Sequence, residues 1–225
     1  MSRRNRRKYD GAEQLRIANE VRHLNPDIED DFLRLLKFSR HKDGYIRSEA
    51  LDVLYGTTNQ MALQRYRECL EDRSPVVRMS ALEGIGEHGN EDDICGVTKL
   101  LKDKDEFVRC FAVYTLSDIG GYNQISVIRD FIKCAKTELE RVYAYFALIN
   151  LGDLVPISTF LDFLHSDLLS VVEYIMNNIE RIVDDENIDQ VRNTVVKIDK
   201  KWKLIRGLDV FLKQFDEKVG STIKK

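Results

Sequence analysis

A helical pattern recurs through this chain at a nearly constant interval. Residues 108–120 read Val-Arg-x-x-Ala-x-x-x-Leu-x-x-Ile-Gly. With Val108 as place zero, the equivalent residues are Ile46, Val77, Glu140 and Val171, at intervals of 31, 31, 32 and 31 residues. Place four holds Ala50, Ala81, Ala112, Ala144 and Ile175, and place eight holds Leu54, Ile85, Leu116, Leu148 and Ile179. An Arg follows the start in four units (Arg47, Arg78, Arg109, Arg141), and a Gly closes three (Gly89, Gly120, Gly152). Apolar residues four, four and three apart mark one face of an amphipathic helix. A period this constant predicts stacked repeats rather than one irregular bundle.

Between the patterned helices lie shorter apolar-periodic segments: 61–70, 92–101, 124–132, 157–164 and 188–196. Each unit is therefore expected to be a helix pair, with the patterned helix second. Start signals agree. Ser74-Pro75 places a cap before a proline at the first helical position, Asp43 and Asp105 stand at the same place, and Thr137 with Glu140 forms a capping box. The closing glycines are expected to be left-handed C-caps. Upstream, Leu15, Ala18, Val21 and Leu24 give a helix that Asn25-Pro26 ends. Asp27, Glu29, Asp30 and Asp31 then sit at the start of the next helix, where carboxylates suit the positive end of the dipole. One pair cannot bury its own apolar face, so pairs must stack and share a core. The expected fold is all-α: a right-handed α-α superhelix of about five helix pairs with terminal caps. Core repeats cover 26–183, a C-terminal cap 184–215 carries Trp202, Leu204, Leu208, Phe211 and Leu212, and a basic tail follows at 216–225. Residues 11–225 read as a single repeat domain preceded by a basic, disordered arm at 1–10.

Charge narrows the function. The chain's net charge of −3 is unevenly spread. Arg3, Arg4, Arg6, Arg7 and Lys8 face only Asp10 in residues 1–10, and residues 200–225 hold eight positive and three negative side chains. Residues 11–199 keep 22 positive and 34 negative side chains, a net of −12. An acidic body is a poor surface for phosphate backbones. The four cysteines, 26, 15 and 24 residues apart, form no C-x-x-C pair and read as reduced thiols of a cytoplasmic protein. The N-terminal residues carry no apolar run of the secretory type, and no stretch reaches membrane-spanning length.

The motif V-R-x-x-A-(L/V)-x-x-(L/I) followed by Gly, as in Val77–Ile85 and Val108–Leu116, resembles the HEAT family, an armadillo-like α solenoid. The likeness is closest to the short HEAT-like repeats also found in phycobilisome lyases, and it covers residues 43–183. It implies a ladder in which the second-helix Arg pairs with an Asp of the loop between repeats. Asp72 and Asp103 match that Asp, whereas His41 and Ser166 stand there in the first and last repeats. Some HEAT-like proteins are enzymes. Deoxyhypusine hydroxylases of this type carry His-Glu iron ligands, yet none of His23, His41, His88 and His165 is followed by Glu. HEAT-like DNA glycosylases need a basic concave face, and this body is acidic. The paired acids Asp92-Asp93 and Asp184-Asp185 lie at helix starts, where capping explains them. No catalytic set, metal set or cofactor motif stands out.

The register also says which residues leave the core. Places three and six point away from places zero, four and eight, onto the face the second helices present together. Glu49, Asp52 and Glu83 put acids there in the first two units. Phe111, Tyr114, Tyr143, Phe146 and Tyr174 put aromatics there in the next three. Aromatic anchors beside acids suit a protein partner with basic and apolar groups. The expected role is non-catalytic protein recognition, as in regulators, assembly factors or toxin-neutralising immunity proteins. A HEAT-like DNA glycosylase or another nucleic-acid binder is the alternative.

Overall fold

The computed structural model describes residues 11–184 and 186–202, together with Lys213 and Glu217. The arm at 1–10, the cap residues Leu204, Leu208, Phe211 and Leu212, the Trp202 side chain and the tail other than Glu217 lie outside the described residues. Among the described residues there are twelve α-helices and no strands.

Contacts divide the chain into two units, 1–131 and 132–225. The first contains α1 (Gly11–Arg22), α2 (Glu29–Phe38), α3 (Gly44–Leu54), α4 (Gln60–Cys69), α5 (Pro75–His88), α6 (Ile94–Lys99) and α7 (Glu106–Ile119). Helix α8 (Gln124–Cys134) runs across the boundary. The second unit contains α9 (Glu138–Asn150), α10 (Ile157–Phe163), α11 (Leu169–Asn177) and α12 (Ile188–Trp202). The patterned helices are thus α3, α5, α7, α9 and α11, and the shorter segments fall between them as expected. In the first unit α3 packs on α1, α2 and α5, while α5 packs on α4 and α7. In the second, α11 packs on α9 and α10.

The repeat pattern is the core. Every residue at places zero, four and eight is buried, from Ile46, Ala50 and Leu54 to Val171, Ile175 and Ile179. The alanines at place four leave room for neighbouring helices to approach. Glu140 takes an apolar place and is still buried, because its carboxylate accepts the Lys136 amide at 2.6 Å. The capping box is therefore shifted by one residue. Thr137 Oγ1 accepts from the Glu140 amide, but Glu140 reaches past Thr137 to Lys136.

Other local expectations divide. Asp43 and Asp105 cap as read, accepting from the amides of Tyr45 and Phe107. Ser74 occupies the cap position without a side-chain cap bond. Its hydroxymethyl group packs where a Cβ on Gly44 would stand, 2.9 Å away. Of the closing glycines only Gly152 is left-handed, with φ 76°. Gly89 and Gly120 have extended backbones, and there glycine is a matter of space: a Cβ would meet Ile85 O at 2.5 Å or Leu116 O at 2.6 Å. Leu15, read as a core residue of α1, is 57% exposed. Helix α1 packs on α3, and Leu15 lies off the side that meets it.

The arginine ladder is present. Arg47 donates to Asp72 through Nε at 2.8 Å and Nη2 at 2.5 Å, and Arg78 Nη2 donates to Asp103 at 2.7 Å. Each also reaches back to a carbonyl of the loop before its own helix: Arg47 to His41, Arg78 to Asp72 and Arg109 to Asp103. Arg141 instead lies over the Phe163 ring, 5.9 Å from its centroid. The buried Arg47 and Arg78 tie successive loops together, which is a structural task.

Candidate protein-interaction face

On α3, α5 and α7, places three and six share one arc with the residue just before place zero and with place ten, at about 100° per residue. The face therefore reads Tyr45, Glu49 and Asp52 on α3, and Val76, Ser80, Glu83 and Glu87 on α5. On α7 it reads Phe107, Phe111, Tyr114 and Asp118. No Lys or Arg occupies any of these places. The single Arg of each helix points the other way, into the ladder.

The predicted residues behave differently from one another. Glu49 is not open surface: it is 9% exposed and paired with Arg22 of α1 through both carboxylate oxygens. Burial works against its charge, but the bonds from Arg22 and Tyr45 prevail and hold it below the usual carboxylate range. Helix α1 thus covers the α3 end of the face. Asp52 and Glu83 are exposed. Both carboxylates are nevertheless raised. For Asp52 the first cause is lost hydration, with the Ser80 hydroxyl bonding it and Glu49 repelling it. For Glu83 it is lost hydration and then repulsion from Asp52. Groups that touch water yet are poorly hydrated belong to a recessed surface. Phe111 and Tyr114 are half-buried, and Phe111 packs against the core of the first unit.

In the second unit Tyr143 and Tyr174 are half-buried and stacked, with ring centroids 3.8 Å apart and planes at 16°. Phe146, expected on the ridge, is fully buried. The Phe160 ring of α10 stands 4.8 Å from it, Tyr174 meets it edge-on at 5.6 Å, and Arg181 covers it at 5.1 Å. Periodicity could not show that the segment after α11 folds back over it. The residues that sequence reasoning missed are Val76, Phe107, Glu87 and Asp118. All four are exposed and lie on the same arc, so extending the register by one place back and one turn forward would have found them.

Other chemistry is sparse. Among the described residues no group of three His, Cys, Asp or Glu side chains is placed to hold a metal. Cys69 and Cys110 are buried, burial pushing the Cys69 thiol up to about 11, and Cys95 and Cys134 are exposed. Asp93 does more than cap: it accepts from Arg67 at 2.6 and 3.0 Å. His88 is the last residue of α5, and its ring meets the Tyr55 carbonyl at 2.7 Å. The cations around the α2–α3 turn are already engaged: Arg40 with Glu68, Arg65 with Ser39 and Glu68, Arg73 with the Lys42 carbonyl. No helix among the described residues is long and apolar enough to cross a membrane.

Stacked helix pairs, a buried arginine ladder and a shared second-helix face define an α-helical repeat scaffold. A family model for HEAT repeats matches residues 67–151, from α4 to the end of α9. These residues are HEAT repeats, and the same register extends to α3 before them and α11 after them. No curated protein matches the chain.

Proposed function

We propose that this chain is a non-catalytic protein-recognition scaffold that takes a basic and apolar partner on the second-helix face. HEAT repeats commonly serve protein–protein interaction. The observation that carries the reading is the pairing of Asp52 and Glu83 on adjacent helices, water-exposed yet crowded, beside half-exposed Phe111 and Tyr114. Carboxylates kept poorly hydrated and close together gain most from a cation that arrives with a partner. The aromatics supply area of the kind that dominates interface energetics. The stacked Tyr143 and Tyr174 offer a second aromatic surface in the second unit. Such a scaffold suits a regulator, an assembly factor or a toxin-neutralising immunity protein.

The test is affinity capture from the native cell with mass spectrometry, repeated with Tyr114→Ala. Loss of an aromatic anchor costs about 2 kcal/mol, roughly thirty-fold in affinity. The expected result is a partner that the parent chain retains and the variant loses, with the melting temperature of the variant close to that of the parent. Tight binding of duplex DNA or RNA at about 150 mM salt would instead support the nucleic-acid alternative.

A further inference from the structure

Resting on that reading, we infer that the α3–α5–α7 face seats one α-helix of the partner, laid across the three helices. Its apolar stripe lies on Val76 and Phe107, and a flank of lysine or arginine lies on Asp52, Glu83 and Glu87. The face is divided along the helix axes. Its N-terminal rim is apolar: Val76 is 44% exposed and Phe107 is 47% exposed, at the same register place on two helices that pack together. Tyr45 holds the same place on α3, where Arg22 bonds its hydroxyl at 2.5 Å. The opposite rim is acidic, with Asp52, Glu83 and Glu87 exposed. Glu87 accepts from the Tyr55 hydroxyl at 3.0 Å.

Two dimensions fit a helix. From Val76 to Glu83 is seven residues along α5. At ~1.5 Å per residue that is about 10 Å, close to the full width of an α-helix. Across the face, three helices spaced about 8–10 Å apart span some 16–20 Å. At ~1.5 Å per residue this accommodates roughly three turns of a crossing helix. An extended segment fits less well, because its successive side chains point to opposite sides, and one chemistry would face away from the surface. A helix carries an apolar stripe and a basic flank side by side and meets both rims at once. Charge supports the choice of flank. Arg22, at the α3 end of this face, is already committed to Glu49 and Tyr45.

The experiment is a display selection with the full chain as target and a random library of ~16-residue peptides, about four helical turns. The expected winners share apolar residues at i, i+3 or i+4, and i+7, with Lys or Arg on one flank. They gain helical circular dichroism on binding. They bind roughly tenfold more weakly to Val76→Ser/Phe107→Ser and to Glu83→Gln/Glu87→Gln. Winners with alternating or proline-rich patterns, or winners indifferent to both variants, would overturn the helix proposal. If those peptides still required Tyr114, the recognition reading itself would survive. Failure to enrich any peptide overturns the helix proposal alone, since capture of a folded partner reads out separately. If peptide affinity rose several-fold in the chain carrying Arg3→Gln, Arg4→Gln, Arg6→Gln and Arg7→Gln, the occupant would be the chain's own N-terminal segment, again overturning a partner helix.

Discussion

Gly84 shows how tightly single positions are specified. It lies in the middle of α5, where glycine costs helix stability. The Tyr66 ring explains it. Tyr66 is fully buried, donates its hydroxyl to the Leu51 carbonyl at 2.9 Å, and its Cδ1 would stand 2.6 Å from a Cβ at position 84. Gly84→Ala is expected to lose about 1–3 kcal/mol by overpacking, despite the better helix propensity of alanine, and denaturant unfolding will read it. Phe146 and Tyr114 make a second contrast at this scale. Both stand at place six, and the sequence assigns both the same direction. Phe146 has a second layer over it and Tyr114 is half-exposed. Phe146→Ala should therefore cost about 3–5 kcal/mol, well beyond the effect of Tyr114→Ala, in the same unfolding measurement. Direction follows from periodicity, whereas exposure depends on what another part of the chain lays on top.

The ladder belongs to the scale of elements. It joins α3 to the loop before α5, and α5 to the loop before α7, through side chains 25 residues apart. Arg47→Ala leaves the largely buried Asp72 without its cation and is expected to cost about 3–5 kcal/mol. Asp72 also sets an acid dependence. Burial alone would raise its carboxyl, but the bonds from Arg47 and the Ser74 amide hold it below the usual range. A depressed folded value stabilises above the unfolded value of about 3.9, and that stability is lost as pH falls through the folded value. In Arg47→Ala this part of the acid-unfolding profile should flatten. The repeat register, the paired arginines and the Asp43 and Asp105 caps were legible because they recur or depend on near neighbours. The Arg22–Glu49 and Arg67–Asp93 bonds were not, since each links helices at a spacing that the motif does not repeat. The extended backbones at Gly89 and Gly120 were hidden for another reason: a glycine needed for room looks the same in sequence as one needed for a positive φ.

For the molecule as a whole, two sets of carboxyl groups oppose each other. Asp72, Asp93 and Glu49 are held below their usual range and stabilise the fold as anions. Asp52 and Glu83 are held above theirs, so their ionised forms are a burden on the folded state at neutral pH. As pH falls through these raised values the burden lifts, before the depressed groups begin to protonate. Stability should therefore peak in weakly acidic solution, and thermal unfolding across pH will show it. Asp52→Asn/Glu83→Gln should melt higher than the parent at neutral pH and yet lose partner capture. A double variant that melts lower would contradict the assignment of these acids to a recessed face. The fold of this molecule was readable from its period, while its face was readable only in outline, since crowding around an acid is set by helices distant in sequence.

Both ends of each ladder arginine are fastened: Arg47 and Arg78 each hold a loop carbonyl behind and a carboxylate ahead. They are the only cationic groups of α3 and of the ordinary charged residues of α5, and they cannot swing round to quench the acids on the far side of the same helices. Arg22 answers Glu49, whereas Asp52 and Glu83 draw a loose population of small cations from the solvent. Whatever settles on the face sends those ions back to the bulk. The resulting gain is one of mixing entropy, obtained without any rearrangement of the protein itself.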